Sequence, residues 1–307
     1  MNHTISIVIP TYNGDSLLEI LLSNMSKTII PPSIISIIII ENGKKNNAKE
    51  ISLNYKKELP IKYLYSEKSG LSLARNIGIQ EAQSDIIIFF DNDMTFERTT
   101  LVEYDKAIQK YGLSFFYGGP VLPNYEEKPP KWINQYLPWS AKGFSLGDKI
   151  QTTNTPVFLG GNHAVPKKLF DELGNYDDMC ATDTLGMVGE ETRLQERLLN
   201  SGYKGKFIPL AISYHWVPKD RCSKSWTLQR RYRAGLTDGK KILDTLPKKY
   251  CSIFNIPCYI LKKYIIAYMN FLIKKISLRS HKEVFSTKFE TNYLLGVIHN
   301  FIPHKKN

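Results

Sequence analysis

The chain has 307 residues, 42% apolar and 12% aromatic, which supports a packed core and excludes global disorder. That length accommodates one large α/β domain with an appendage, and no run of about 18 uninterrupted apolar residues marks a membrane span. The formal charge of +12 is uneven: residues 219–307 hold 19 Lys/Arg against 5 Asp/Glu, and the remainder 22 against 24.

Residues 5–10 read as a buried strand stopped by Pro10, and Asn13-Gly14 as a turn, with Asp15 or Ser16 placed to cap a helix. Leu17, Leu18, Leu21, Leu22 and Met25 recur at helical spacing, and Pro31-Pro32 close the unit. A second all-apolar strand spans Ile34 to Ile40, a short one Tyr63 to Tyr65, and Ser72 can cap a helix to about Gln83. Ile86 to Phe90 form a further buried strand, followed by a helix carrying Leu101, Tyr104, Ile108 and Tyr111 and closed by Gly112. Apolar strands without in/out alternation, interleaved with helices, predict a doubly wound, mostly parallel α/β sheet with helices on both faces. Residues 120–156, rich in Pro, Gly and aromatics, predict a long loop or lid. Helices are expected at Pro166 to Leu173 and Glu190 to Asn200, and a strand at Phe207 to Trp216. The expected division is a catalytic domain over 1–235 and a basic, largely helical extension over 236–307.

Cys180, Cys222, Cys251 and Cys258 show neither a C-x-x-C pair nor a Cys/His cluster at metal spacing, so free thiols in a reducing compartment are expected. Met1 to Thr4 lead directly into an apolar run too short for a signal sequence, and a cytoplasmic location is the expectation.

Four constellations carry chemistry. Asp91-Asn92-Asp93 directly follows a buried strand, where ligands of open α/β sheets collect, and two carboxylates there suit a hard cation such as Mg²⁺ or Mn²⁺. The end of the first strand offers Thr11, Tyr12 and Asn13 to a base and ribose, and Glu41 after the second offers a carboxylate to a base N–H or a hydroxyl. In Gly70-Leu-Ser-Leu-Ala-Arg75, a helix N-terminus with an arginine one turn inside suits a diphosphate; the segment lacks the G-x-G-x-x-G spacing of a dinucleotide site. Glu190-Glu191 open an amphipathic helix, as capping acids or as a general base with its partner. Trp132, Tyr136 and Trp139 either stack on an acceptor sugar or plug an irregular core.

The ordered set VIPTYN, E-N-G, GLSLARNIG, DND, GGN, FDELGNYD, GEE and a late histidine resembles family 2 glycosyltransferases of GT-A fold over roughly residues 4–235. The resemblance implies a nucleotide-diphosphate sugar donor (UDP-linked is the expectation), a divalent metal and inversion at the anomeric carbon. It places Asp93 as a metal ligand, Asp91 on ribose or a metal-bound water, His215 as a further metal or phosphate ligand, and Glu191 as the base beside Glu190. It also sets Asn92 beside the nucleotide sugar and Arg230 and Arg231 near the diphosphate, with Gly161 and Asn162 on the acceptor side. Two departures stand out: Glu41 where an Asp is usual, followed by Lys44-Lys45-Asn46 in place of S-T-D, and Glu191 in place of Asp.

The basic tail points either to an anionic membrane surface, since Lys262-Lys263 and Lys274-Lys275 punctuate an apolar stretch from Ile256 to Ile276, or to a basic helical cap packed on the catalytic domain. This fits a lipid-linked or glycan acceptor in surface polysaccharide synthesis at the inner face of a membrane. A nucleic-acid-binding protein with an inactive transferase domain is the rival, and it leaves the ordered acidic motifs unexplained.

Overall fold

A computed structural model describes residues 2–177, 189–247 and 249–302. The first part alternates as the sequence predicts: β1 (Ile5–Thr11), α1 (Asp15–Met25), β2 (Ile34–Asn42), α2 (Ala48–Asn54), β3 (Ile61–Ser66), α3 (Leu71–Glu81), β4 (Ile86–Phe89), β5 (Met94–Phe96) and α4 (Thr100–Tyr111). It continues with β6 (Phe115–Gly118), β7 (Val121–Tyr125), α5 (Trp139–Lys142), β8 (Gln151–Thr153), β9 (His163–Pro166), α6 (Lys168–Leu173), α7 (Glu190–Asn200), β10 (Lys204–Phe207) and β11 (Ser213–Val217). The C-terminal part holds α8 (Lys224–Thr245), β12 (Ser252–Ile253), β13 (Ile256–Pro257), α9 (Cys258–Ile276) and α10 (His281–His299).

The main sheet runs β3-β2-β1-β4-β9-β6-β10-β8, parallel except that β9 opposes both its neighbours and β8 opposes β10. Period-two geometry explains the unbroken apolar runs. Ile5, Ile7, Ile9, Ile37, Ile39, Ile86 and Ile88 meet Leu18 and Leu21 of α1 and Tyr104 of α4 on one face. Val8, Ile38, Ile40, Ile87 and Phe89 meet Ala74 of α3 and Leu194 and Leu198 of α7 on the other. The doubly wound α/β expectation is borne out.

Several local expectations are corrected. Helices α1 and α3 start without side-chain caps, at Gly14 and Gly70, so Asp15, Ser16 and Ser72 do not serve that role. Phe207 to Trp216 is two strands in different sheets: Pro209 lies in the turn that separates β10 from β11. β11 instead joins β5 and β7 in a three-stranded sheet. The expected lid over 120–156 is not all loop, because it contains β7, α5 and β8.

The chain divides into two compact units, Met1–Glu127 with Pro138–Ala181 and Glu190–Pro218, and Lys128–Leu137 with Thr182–Gly189 and Lys219–Asn307. Residue 235, where the sequence suggested a domain end, lies inside the continuous helix α8. Within the second unit α8 and α10 touch backbone to backbone: a Cβ on Gly235 would lie 2.0 Å from the Tyr293 carbonyl oxygen, and one on Gly296 2.1 Å from that of Tyr232. Ile256, Ile260, Val297, Ile298 and Phe301 form this unit's small core. Cys251 and Cys258 bracket the β12–β13 hairpin and are disulfide-bonded, Cα atoms 5.7 Å apart, which corrects the expectation of free thiols throughout. Cys222 is free and buried; Cys180 lies outside the described residues. Among the described residues no helix is long and apolar enough to cross a membrane.

Candidate active site

The loops that follow β1, β2 and β4, adjacent strands of the sheet, gather at their carboxyl ends, where open parallel sheets bind ligands. Asn42 sews them together: its Nδ2 donates to the Thr11 carbonyl (2.9 Å) and its Oδ1 accepts from the Gly70 amide (2.9 Å). Asn92 Nδ2 donates to Thr11 Oγ1 (2.9 Å). The Thr11 hydroxyl, Asn92 and the Gly70 amide are therefore parts of the frame that shapes the loops. Asn13 adopts a positive φ of 46° and accepts from Asn46 Nδ2 (2.7 Å). The exposed Tyr12 ring (55%) lies over Gly43, where a Cβ would sit 2.7 Å from the ring, so only glycine admits it.

Glu41 also departs from expectation. It is buried, and its two oxygens accept from the Asn46 amide (2.5 Å) and the Tyr63 hydroxyl (2.5 Å). Burial and the Glu41 carboxylate together push the Tyr63 hydroxyl far above its ordinary range. The carboxylate is thus spent on fixing the Lys44-Lys45-Asn46 turn, and Asn46 is the partner that the sequence did not single out.

Arg75 is corrected most sharply. The sequence suggests a diphosphate ligand, yet the side chain is fully buried, with Nη2 on Asp91 Oδ1 (2.8 Å) and Nη1 on Glu190 Oε1 (2.8 Å). Burial works against its charge, but Asp91 and Glu190 more than offset this and keep the guanidinium protonated. One planar group thereby ties the end of β4 to the first residue of α7, across sequence separations of 16 and 115. Tyr176 lies against the same guanidinium, 5.3 Å from ring centre to Cζ, and Asn76 clamps the Tyr176 backbone through two 3.0 Å bonds. The Tyr176 hydroxyl pairs with His163 Nε2 (2.5 Å). Burial first, and the nearby Arg75 charge second, pull His163 down to about 3, so it is a neutral wall group at any working pH.

The glycines of GGN acquire a reason in this wall. A Cβ at Gly160 would sit 2.8 Å from Arg75 Nη2, and one at Gly161 3.1 Å from Asp91 Oδ2. Gly160→Ala is expected to displace the guanidinium, costing about 1–3 kcal/mol of stability as overpacking does, together with a fall in turnover. Thermal melting and a transfer assay check this, and an unchanged pair of readings would show that the wall has room. Asn162 is buried, donates to the carbonyls of Pro120 and Ala211 (2.9 Å each) and accepts from the Tyr104 hydroxyl (2.9 Å). It is a structural clamp, which corrects its acceptor role.

Asp93 and His215 converge as the sequence suggested. Residue 215 pairs with Met94 in the antiparallel β5–β11 ladder, the Trp216 amide donates to the Asp93 carbonyl (2.9 Å), and His215 Nε2 stands 3.2 Å from Asp93 Oδ2. Burial, and then the Asp93 charge, raise the Asp91 carboxyl against the lowering by Arg75, so two acidic groups sit in one low-dielectric place. Among the described residues, no three His, Cys, Asp or Glu side chains stand together as a ready cation cage. A carboxylate and an imidazole with a second carboxylate nearby nevertheless fit a cation whose remaining ligands are phosphate oxygens.

Trp139 keeps 44% of its surface exposed and is propped by Phe144 at 5.4 Å. Trp132 packs edge-on against Tyr136 and Phe285 and lies under Lys224, within the second unit. That is the core-plug alternative rather than an open platform. Arg230 and Arg231 lie on α8 of the same unit, and the Arg231 guanidinium is stacked on Tyr293 (4.1 Å) and Phe289 (4.9 Å) and paired with Glu290 (3.4 Å). Arg231 is thus engaged inside its own unit.

Comparison with known proteins agrees with this architecture. The chain is 26% identical to the succinoglycan biosynthesis protein ExoM of Rhizobium meliloti (strain 1021), over 78% of this chain and 75% of that protein. In fold it is similar to the mannosyltransferase PcManGT from Pyrobaculum calidifontis, solved with GDP-Man and Mn²⁺, at a TM-score of 0.62 and 16% identity, covering 98% and 87% of the two chains. It is similar as well to GalNAc-T7, solved with UDP, GalNAc and Mn²⁺, at a TM-score of 0.55 and 18% identity over 80% of this chain, and it spans only 52% of that one. These neighbours have the GT-A fold, as the sequence resemblance implied. The sequence model of glycosyl transferase family 2 matches residues 6–174, more than half of the chain, and the chain belongs to that family.

Proposed function

We propose that the chain moves a sugar, with inversion, from a nucleoside-diphosphate donor to a glycan or lipid-linked acceptor during assembly of a polysaccharide, on the cytoplasmic side of a membrane. The observation that carries this reading is the buried Arg75 guanidinium, which joins Asp91 of the cation loop to Glu190 beside the candidate base. Charge neutralisation and proton abstraction then belong to one site.

In this reading Asp93 and His215, with Asp91 beside them, would hold Mn²⁺ or Mg²⁺. When bound, the cation would supply Lewis-acid neutralisation of the diphosphate leaving group. Tyr12 gives the nucleotide base a flat face above Gly43, and the Asn42, Asn92 and Glu41 bonds fix the loop that carries it. Glu191, next to the Arg75-paired Glu190 in the first turn of α7, takes the proton of the acceptor hydroxyl as the oxygen attacks the anomeric carbon. One carboxylate acts as a base and none as a nucleophile, which gives inversion. ExoM's named role in succinoglycan biosynthesis and the UDP, GDP-Man and Mn²⁺ of the structural neighbours support the polymer, donor and metal parts. UDP-sugars are the first donors to try.

Calorimetry of UDP- and GDP-sugars with and without Mn²⁺ tests the metal assignment. Mn²⁺-dependent donor binding by the wild type should be lost in Asp93→Ala, and undiminished Mn²⁺-dependent binding by the variant would remove Asp93 from the role. Release of nucleoside diphosphate, rather than pyrophosphate, separates this reaction from nucleotidyl transfer.

A further inference from the structure

The exposed face of α9 and the hairpin before it go beyond donor chemistry. Of the apolar residues of α9 only Ile260 is buried, with Leu261 and Tyr264 partly packed on the small core. Ile265 (51%), Ile266 (51%), Met269 (50%) and Ile273 (55%) remain in solvent. At 3.6 residues per turn these positions share one side of the helix, joined by Tyr259 near its start and Ile276 at its end. The pattern continues beyond both ends. Leu278 is 92% exposed, and the tip of the disulfide-bonded hairpin presents Phe254 at 88%, on a positive φ of 51° that turns the chain there.

A row of apolar side chains on this scale marks an interaction surface, and the charges around it select the partner. α9 carries Lys262, Lys263, Lys274 and Lys275 and no acidic residue. A second copy meeting this face in a two-fold arrangement would set lysines against lysines with no carboxylate on the helix to offset them. A surface that is apolar beneath and anionic above matches both features: the isoleucines enter the acyl boundary while the long lysine side chains reach outward to headgroups. We infer that α9, with the Phe254 hairpin tip, is a docking surface for an anionic lipid bilayer, on which the helix lies in the plane of the interface.

The test uses the full chain and flotation with vesicles of phosphatidylcholine alone or mixed with phosphatidylglycerol. The wild type should float with the mixed vesicles and not with the neutral ones, and added salt should weaken the association. Ile266→Asp/Met269→Asp/Ile273→Asp should lower partitioning by about tenfold or more, since it removes apolar burial and adds repulsive charge. These side chains are exposed, so melting temperature and donor binding should stay unchanged, which separates a failed docking surface from a failed enzyme reading. Lys262→Gln/Lys263→Gln/Lys274→Gln/Lys275→Gln, which leaves the apolar row intact, should bind mixed vesicles more weakly and with a shallower salt dependence. Equal partitioning of wild type and triple variant would overturn the inference. So would absence of flotation together with a concentration-dependent dimer, seen by sedimentation, that the triple variant abolishes; the face would then belong to a second copy.

Discussion

Glu191→Gln is expected to lower the turnover number by about 10²–10⁴-fold, the usual contribution of a positioned general base, with donor binding retained. Glutamine keeps the size and hydrogen-bonding reach of the side chain but cannot accept the proton of the attacking hydroxyl. Measuring nucleoside diphosphate release at saturating acceptor, beside calorimetric donor affinity, separates the chemical step from binding. The adjacent Glu190→Gln is the informative control. Glu190 Oε1 is held 2.8 Å from Arg75 Nη1, so that variant should lose stability as well as rate. A Glu191→Gln enzyme with near-normal turnover, beside a slow Glu190→Gln enzyme of unchanged melting temperature, would transfer the base role to Glu190.

The parts of the fold that were legible are those in which a local pattern states the environment. Ile5 to Pro10 and Ile34 to Ile40 are apolar at every position or nearly so because helices cover both sheet faces, and the period-3.6 rows of α1 and α4 name the sides they bury. The illegible parts depend on pairing partners far away in the chain. His163–Pro166 is too short to announce a strand, and its antiparallel place between β4 and β6 follows from long-range register. Phe207 to Trp216 reads as one strand, and only the separate sheet shows that β11 carries His215 to Asp93. The same division runs through the candidate site. The acids of DND and GEE stood out by composition and position. The identities of their partners did not, because a buried Arg and a diphosphate-binding Arg look alike on a helix start. Glu41, Thr11, Asn92 and Asn162 read as ligand groups for that reason: polar residues at strand ends are as useful for knitting loops together as for binding. One signal could have found the arrangement around Arg75. Its neighbour Asn76 and Tyr176 occur in two of the ordered motifs, and a polar residue paired with an aromatic beside an arginine suggests a packed cation.

The largest expected effect on stability belongs to Arg75. Replacing it with Met leaves the partly buried Asp91 and Glu190 carboxylates without their shared counter-charge, in a place where burial and Asp93 already raise Asp91. Breaking a buried charge network by deleting one partner costs about 3–5 kcal/mol, or roughly 6–20 °C of melting temperature for a unit of this size. Arg75→Lys keeps the charge, but a single ammonium lacks the planar fork that reaches two carboxylates at once, so an intermediate loss is expected. It also supplies a reading if the Met variant fails to fold. Because Arg75 is almost wholly buried, its expected effect on catalysis passes through the acids it holds. The Lys variant should therefore lose turnover, and more of it than donor affinity, since Tyr12 and the Asn42-knit loop are untouched. A Met variant that melts with the wild type would mean that the two carboxylates find other partners, and the coupling between cation loop and base helix would then have to run through some group other than this guanidinium.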